Sequence, residues 1–261
     1  PMSVHTIARF SYKTLNDFAG GQAIFDVKES RAYNDLLSVK AMMTSRMSAP
    51  ASEMVYDTRI DSVSYTSDNI VLIIGESHNR HHNSYYGYPL NTNRYTEAYA
   101  PYVFTDVISP VNSTIYAIRS MISMYESGSD GNINDAQLLL PIFKEAGYEV
   151  RFYSNQNVKE KQAEGMDMAL NILYDNPIVE KASFDKRNTE KYRYDGELVD
   201  CFMSETSADT LARHTLSIIH LMGQHVAAKD RFPASDKVFS ADSLSFRPDL
   251  SDADKQTLAD Y

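Results

Sequence analysis

The stretch from Asn69 to Thr92, NIVLIIGESHNRHHNSYYGYPLNT, constrains this chain more than any other. Ile70 to Ile74 is a continuous apolar run, mostly β-branched and without alternation, which is the pattern of a strand buried on both faces of a parallel sheet. The run breaks at Gly75-Glu76-Ser77 into a polar and aromatic loop. Glu76 is therefore placed at the carboxyl edge of a sheet, where ligands of open α/β sheets bind. Spacing alone leaves two readings open: a ligand-binding carboxylate, or a cap for the turn that follows.

The rest of the chain repeats a β-α-β rhythm. Asn112-Ser113-Thr114 introduces Ile115, Ile118, Met121, Ile122 and Tyr125 at helical spacing, so Thr114 falls at a helix N-terminus. Asn134 or Asp135 is expected to cap a second helix with the stripe Leu138, Leu139, Ile142, Phe143 and Ala146, stopped by Gly147. Strands are predicted at Tyr148 to Tyr153 and at Thr215 to Met222, with a weaker one near Ile178 to Phe184 and helical spacing from Tyr194 to His214. Helical patches at Tyr12 to Phe18 and Tyr33 to Met43 belong to a lead-in, residues 1–66, that wraps the domain formed by residues 67–261. The alternation of strands and helices predicts an α/β fold, three layers α/β/α around a mostly parallel sheet. Ser251 and Asp254 mark the start of a last helix that has no stop signal. With Pro1 ahead of Met2 at the other end, this leads us to expect a piece of a longer protein.

Composition excludes some classes of function. The net charge of −10 and pI near 5.1 oppose general nucleic-acid binding, which needs a basic face to displace counterions from phosphates. No apolar run approaches the ~20 residues of a bilayer-spanning helix. A lone cysteine, Cys201, precludes an intramolecular disulfide and a thiolate zinc cluster.

Three predicted strands end in polar residues: Glu76 after the first, Asn155 after the second and His225 after the third. A parallel sheet gathers such ends on one edge, next to the helix start at Thr114. A hydroxyl there can receive an anion, because free N–H groups and the helix dipole favour negative charge. A cation held by Glu76 would turn that hydroxyl into a nucleophile; without one, Thr114 serves as part of a helix cap. Gly75-Glu76-Ser77-His78-Asn79 is also one glycine short of the nucleophile elbow of α/β-hydrolases, with His225 in the right chain order for Ser77. Asn79 and the lack of an HGGG-type oxyanion loop oppose that reading. His78, His81 and His82 read as a solvated loop or helix face rather than a metal site, and His220 as a hydrogen-bonded core histidine.

The run IVLIIGESHNRHHNSYYGYPLNTN, the Asn112-Ser113-Thr114 helix start, LLLPIFKEAGYEVRFYSNQN, and IIHLMGQH with Arg231-Phe232-Pro233 together resemble the periplasmic catalytic domain of the phosphoethanolamine transferases. These belong to the alkaline phosphatase and sulfatase superfamily, and the likeness covers residues 69 to 261. It implies an alkaline-phosphatase-like fold, with Glu76 as a zinc ligand and Thr114 as the nucleophile that also touches the zinc. Asn155 and His225 would contact the phosphoethanolamine group, and Asn112 would be a polar neighbour of the nucleophile. The implied donor is phosphatidylethanolamine, and the acceptor is lipid A or an oligosaccharide. The implied place is the periplasmic face of the bacterial inner membrane, anchored through a region absent from this chain. The family's Asp-His metal motif does not occur here, so the chain alone is expected to bind zinc weakly and to be inactive. A sulfatase-like hydrolase, a phosphoglycerol transferase and a non-catalytic binding module remain the alternatives. A sulfatase's C/S-x-P-S-R nucleophile motif is missing at Thr114-Ile115-Tyr116-Ala117-Ile118.

Overall fold

The computed structural model describes residues 57–65, 67–109, 114–126, 135–156, 177–206, 214–225 and 227–261. Asn112, Asn134 and the helical patches expected before residue 57 lie outside the described residues. Among the described residues four strands form one parallel sheet: β1 (Asn69–Ile74), β2 (Glu149–Ser154), β3 (Lys186–Arg187) and β4 (Thr215–His220), in the order β1-β4-β2-β3. The helices are α1 (Thr114–Met121), α2 (Leu139–Glu145), α3 (Pro177–Ser183), α4 (Asp195–Glu205) and α5 (Asp252–Asp260). No helix among the described residues is long and apolar enough to cross a membrane.

The central strand β4, TLSIIH, is buried at every position. Its alternate side chains serve two layers, because successive residues of a strand point to opposite faces. Leu216 and Ile218 join Val150 and Phe152 of β2, Ile118 of α1, Leu140 of α2 and Val179 of α3 in the larger core. Ile219 joins Tyr153 and Leu198 of α4 on the other face. The expected α/β/α layering and parallel sheet are both present.

Three sequence expectations are corrected. The run Ile70 to Ile74 is not buried on both faces: Val71 and Ile73 are 51% and 61% exposed, because β1 pairs only with β4 and forms an edge of the described sheet. The segment from Ile178 to Phe184 is the helix α3, which Pro177 opens. Proline suits a first helical position, since its φ is preset and its missing N–H would be unpaired there anyway. The second helix begins after Leu138 rather than at Asp135, with no side-chain cap. Gly147 does end that region, at φ 86°. Ser251 caps α5 as the pattern suggests, accepting from the Asp254 amide.

His220, at the end of β4, is 2% exposed. Its Nδ1 lies 3.3 Å from the Ser154 hydroxyl, and its Nε2 has no partner among the described residues. Burial pushes its pKa down to about 4, with the Glu76 and Asp195 charges pulling weakly upward. A histidine held neutral in this way releases its proton on folding. Its contribution to stability is complete above the unfolded value near 6.5 and is lost as pH falls from there toward 4. Urea titrations from pH 7.5 to 4 are expected to show a loss of roughly 2–3 kcal/mol from this group. His220→Asn, which does not titrate, should flatten that part of the profile.

Candidate active site

Register places the site. Ile74 of β1 and Ser154 of β2 both stand opposite His220 of β4, so the three strands stop at one level and their next residues share one edge. Backbone hydrogen bonds continue past the strand ends. The Leu221 amide donates to Ile74, the Asn155 amide to His220 and the Gln224 amide to the Glu76 carbonyl, at 3.0, 3.0 and 3.2 Å.

The Glu76 carboxylate is the centre of this edge, with its side chain 10% exposed. Its Oε1 accepts from the Ser77 amide at 2.9 Å and the Ser77 hydroxyl at 3.1 Å. Its Oε2 accepts from the Thr114 hydroxyl at 2.9 Å and from Gln156 Nε2 at 3.4 Å. An ionised carboxylate offers about four acceptor directions, and all of them meet donors here. Of the two sequence readings of Glu76, neither alone describes this, since its carboxylate bonds the next residue's amide and reaches Thr114 at the first position of α1. The helix start lends positive potential to the Thr114 oxygen.

Gln156 was missed by sequence reasoning, although the signal for it exists. Alternation from Phe152 through Ser154 carries residue 156 to the face that α1 covers, and it carries residue 155 to the opposite face. Gln156 is 8% exposed, and its Nε2 also donates to the Leu221 carbonyl at 2.7 Å, so it ties the ends of β2 and β4 to Glu76. Asn155 points the other way. Its Nδ2 donates to Asp195 Oδ1 at 3.0 Å, its Oδ1 accepts from the Tyr192 amide at 2.9 Å, and it is 1% exposed.

His225 reaches the site through Ser77. Its Nδ1 lies 3.4 Å from the Ser77 hydroxyl and 4.0 Å from Glu76 Oε1. Ser77 has φ 56°, the left-handed backbone that also marks a nucleophile elbow. Here the residue differs from an elbow in two respects. Its hydroxyl donates to Glu76, and the next element is a short 3-10 turn, Arg80–His82, instead of a long helix whose dipole could support an oxyanion. Of the nearby histidines, His78 and His81 are exposed, as expected of a solvated loop, and His82 is half-buried. His78 Nε2 lies 3.1 Å from Asn83 Nδ2, and the His82 ring meets Tyr261 edge-on at 4.9 Å. A cavity of about 310 Å³ opens beside this loop, lined by His82, Tyr88, Gln224, Phe232 and Tyr261 among others. The Tyr261 hydroxyl donates to the Ser77 carbonyl.

The donor set bears on a metal. Glu76 and Thr114 present two adjacent hard oxygens, and His225 brings a nitrogen to the same edge. Among the described residues no three His, Cys, Asp or Glu side chains gather closely enough to hold an ion. The residues therefore fit one side of a zinc site, which in a tetrahedral arrangement needs further ligands.

A parallel α/β/α sheet with a carboxylate and a helix-start hydroxyl at its carboxyl edge is the arrangement, and the solved structures that superpose on it place the fold in the alkaline-phosphatase-like class. The Sulfatase family model matches residues 68–258, and the chain belongs to that family. Among curated proteins it is 24% identical over 198 residues to the phosphoethanolamine transferase CptA of Salmonella typhimurium strain LT2, and equally to the phosphoethanolamine transferase EptC of Escherichia coli strain K12. Each alignment covers 74% of this chain and 33% of the relative, so the chain spans about a third of the length of these proteins. Among solved structures, the zinc complex of the C-terminal periplasmic domain of Escherichia coli EptC superposes with a TM-score of 0.57 at 23% identity, over 74% of this chain and 54% of that one. The corresponding domain of Campylobacter jejuni EptC gives 0.54 at 16%, over 75% and 59%.

Gly223 holds the Gln224-His225 segment close to Glu76. At φ 53°, a β-carbon on it would lie 2.5 Å from the Glu76 carbonyl oxygen and 2.8 Å from the Glu76 nitrogen. Gly223→Ala is expected to destabilise the protein by about 2–4 kcal/mol, from left-handed backbone strain plus the clash. Chemical denaturation would measure it, and an unchanged midpoint would contradict this packing.

Proposed function

We propose that residues 67–261 carry the nucleophile-bearing part of a phosphoethanolamine transferase catalytic domain, preceded by a lead-in over residues 1–66. The observation that carries this reading is the hydrogen bond from the Thr114 hydroxyl to Glu76 Oε2 at the start of α1. It is supported by the family match and by the names of the curated relatives.

In the proposed reaction the Thr114 oxygen attacks the phosphorus of phosphatidylethanolamine. The phosphorus–oxygen bond to glycerol breaks, and the proton lost by threonine ends on the diacylglycerol alcohol. The phosphoethanolamine then moves from Thr114 to a hydroxyl or phosphate of lipid A or an oligosaccharide, which restores the hydroxyl. Glu76 holds the threonine oxygen in place and accepts its hydrogen bond. His225, beside Ser77, is the proposed donor to a phosphate oxygen. Asn112 is the proposed polar neighbour of the nucleophile, and Asn155 supports the substrate edge. Zinc bound by Glu76 and Thr114 would supply Lewis acidity that lowers the cost of the threonine alkoxide. The setting is the periplasmic face of the bacterial inner membrane, in keeping with the periplasmic domains that share the fold.

Intact-mass and peptide mass spectrometry test the assignment. The full protein that carries this chain, incubated with zinc and phosphatidylethanolamine vesicles, is expected to gain a phosphoethanolamine increment on Thr114. Thr114→Ala should lose it completely, and Glu76→Gln should reduce its rate by roughly 10²-fold or more, the usual scale for removing a group that stabilises developing charge. Turnover that persists undiminished in Thr114→Ala would overturn the nucleophile. Release of the headgroup to water alone would point to a sulfatase-like hydrolase instead.

A further inference from the structure

One carboxylate outside the proposed reaction gathers the chain where it leaves β4. Asp195, the first residue of α4, accepts hydrogen bonds from three donors. Its Oδ1 takes the Met222 amide at 2.9 Å and Asn155 Nδ2 at 3.0 Å, and its Oδ2 takes the Gly223 amide at 2.8 Å. Asn155 is itself fixed by the Tyr192 amide. These bonds seize the chain just where it leaves β4 and turns toward His225.

We infer that Asp195 is a positioning residue, a latch that holds the turn after β4 against Glu76 and so sets the distance between His225 and the Thr114–Glu76 pair. Two contacts transmit the effect. The Gly223 backbone packs directly on the Glu76 backbone, too close to admit a side chain. The next amide, Gln224, donates to the Glu76 carbonyl at 3.2 Å. The turn has one internal bond of its own, from the His225 amide to the Met222 carbonyl at 3.2 Å, and a charged acceptor for two consecutive amides holds it more firmly than neutral partners would. Asp195 touches neither Glu76 nor Thr114 through any of these bonds. Asn155 then acts at the substrate edge by orienting Asp195, which accounts for its buried amide. The consequence for chemistry rests on the function proposed above, whereas the latch itself stands on backbone geometry.

Amide hydrogen exchange by NMR on this chain separates positioning from mere support of the fold. In Asp195→Ala the Met222 and Gly223 amides should exchange at least about 10-fold faster. The Gln224 amide, which Asp195 does not contact, should follow by a similar factor. Amides of β4 from Leu216 to Ile219 should change less than about 2-fold, and Asp200→Ala on the same helix should change none of them. Asp195→Asn keeps the volume and one acceptor oxygen. It should give an intermediate effect, and it carries the test if the alanine variant does not fold. Unchanged exchange at Gln224, or an equal rise throughout β4, would overturn the proposal. In the full protein, Asp195→Asn should slow formation of the Thr114 adduct at saturating lipid while the apparent KM stays within about 2-fold. A wild-type protein that forms no adduct would defeat the proposed function and leave the latch to be judged on exchange alone.

Discussion

The structure depends on the parallel pairing of β4 with β1 on one side and β2 on the other, in a register that brings Ile74, His220 and Ser154 to the same level. That pairing is strongly specified. Every residue of β4 is buried, so a slip of one position would drive Leu216 and Ile218 out of one core and Ser217 and Ile219 out of the other. Because all three strands end together, the residues that follow them are within reach of one another despite their separation in the chain, 80 positions for Glu76 and Gln156 and 65 for Gln156 and Leu221. Glu76 meets Gln156 for that reason, while Thr114, 38 positions on, reaches it from the start of α1, and the bonds past the strand ends fix the spacing of the edge.

The site is built from opposite demands on neighbouring residues. At the end of β2, Gln156 turns toward α1 and Glu76, while Asn155 turns toward α4 and Asp195. One strand end therefore serves both the chemistry proposed on one face and the support of the β4 turn on the other. His220, at the end of β4, is kept neutral by its burial although the charges of Glu76 and Asp195 act on it. A cationic imidazole there would compete with any positive group that Glu76 is to hold. A neutral one leaves the carboxylate charge directed toward Thr114.

Much of this was legible before the structure. Apolar or aromatic-rich segments located β1, β2 and β4, helical spacing located α1 and α2 with the glycine after Ala146 ending the latter, and alternation of strands with helices indicated a parallel sheet. The errors have physical causes. The run at Val71 to Ile73 is apolar enough for a central strand but lies at the edge of the described sheet, and local hydrophobicity cannot tell centre from edge. Ile178 to Phe184 is too short for periodicity to distinguish strand from helix, and Pro177 was the better guide.

The sequence by itself determined three of the four described strands, β1, β2 and β4, that Glu76 follows one of them, and that Thr114 begins a helix, because these follow from patterns a few residues long. Its motifs, taken together, also marked the family. Only the tertiary structure decided which side chains meet the Glu76 carboxylate, because that depends on strand order and on which face each strand-end residue occupies. It brought in Gln156 and Ser77, turned Asn155 away from Thr114, and made Asp195 the holder of the β4 turn. Apart from Ser77, the chain neighbour of Glu76, none of these follows from local spacing, since each contact joins residues that the tertiary fold brings together.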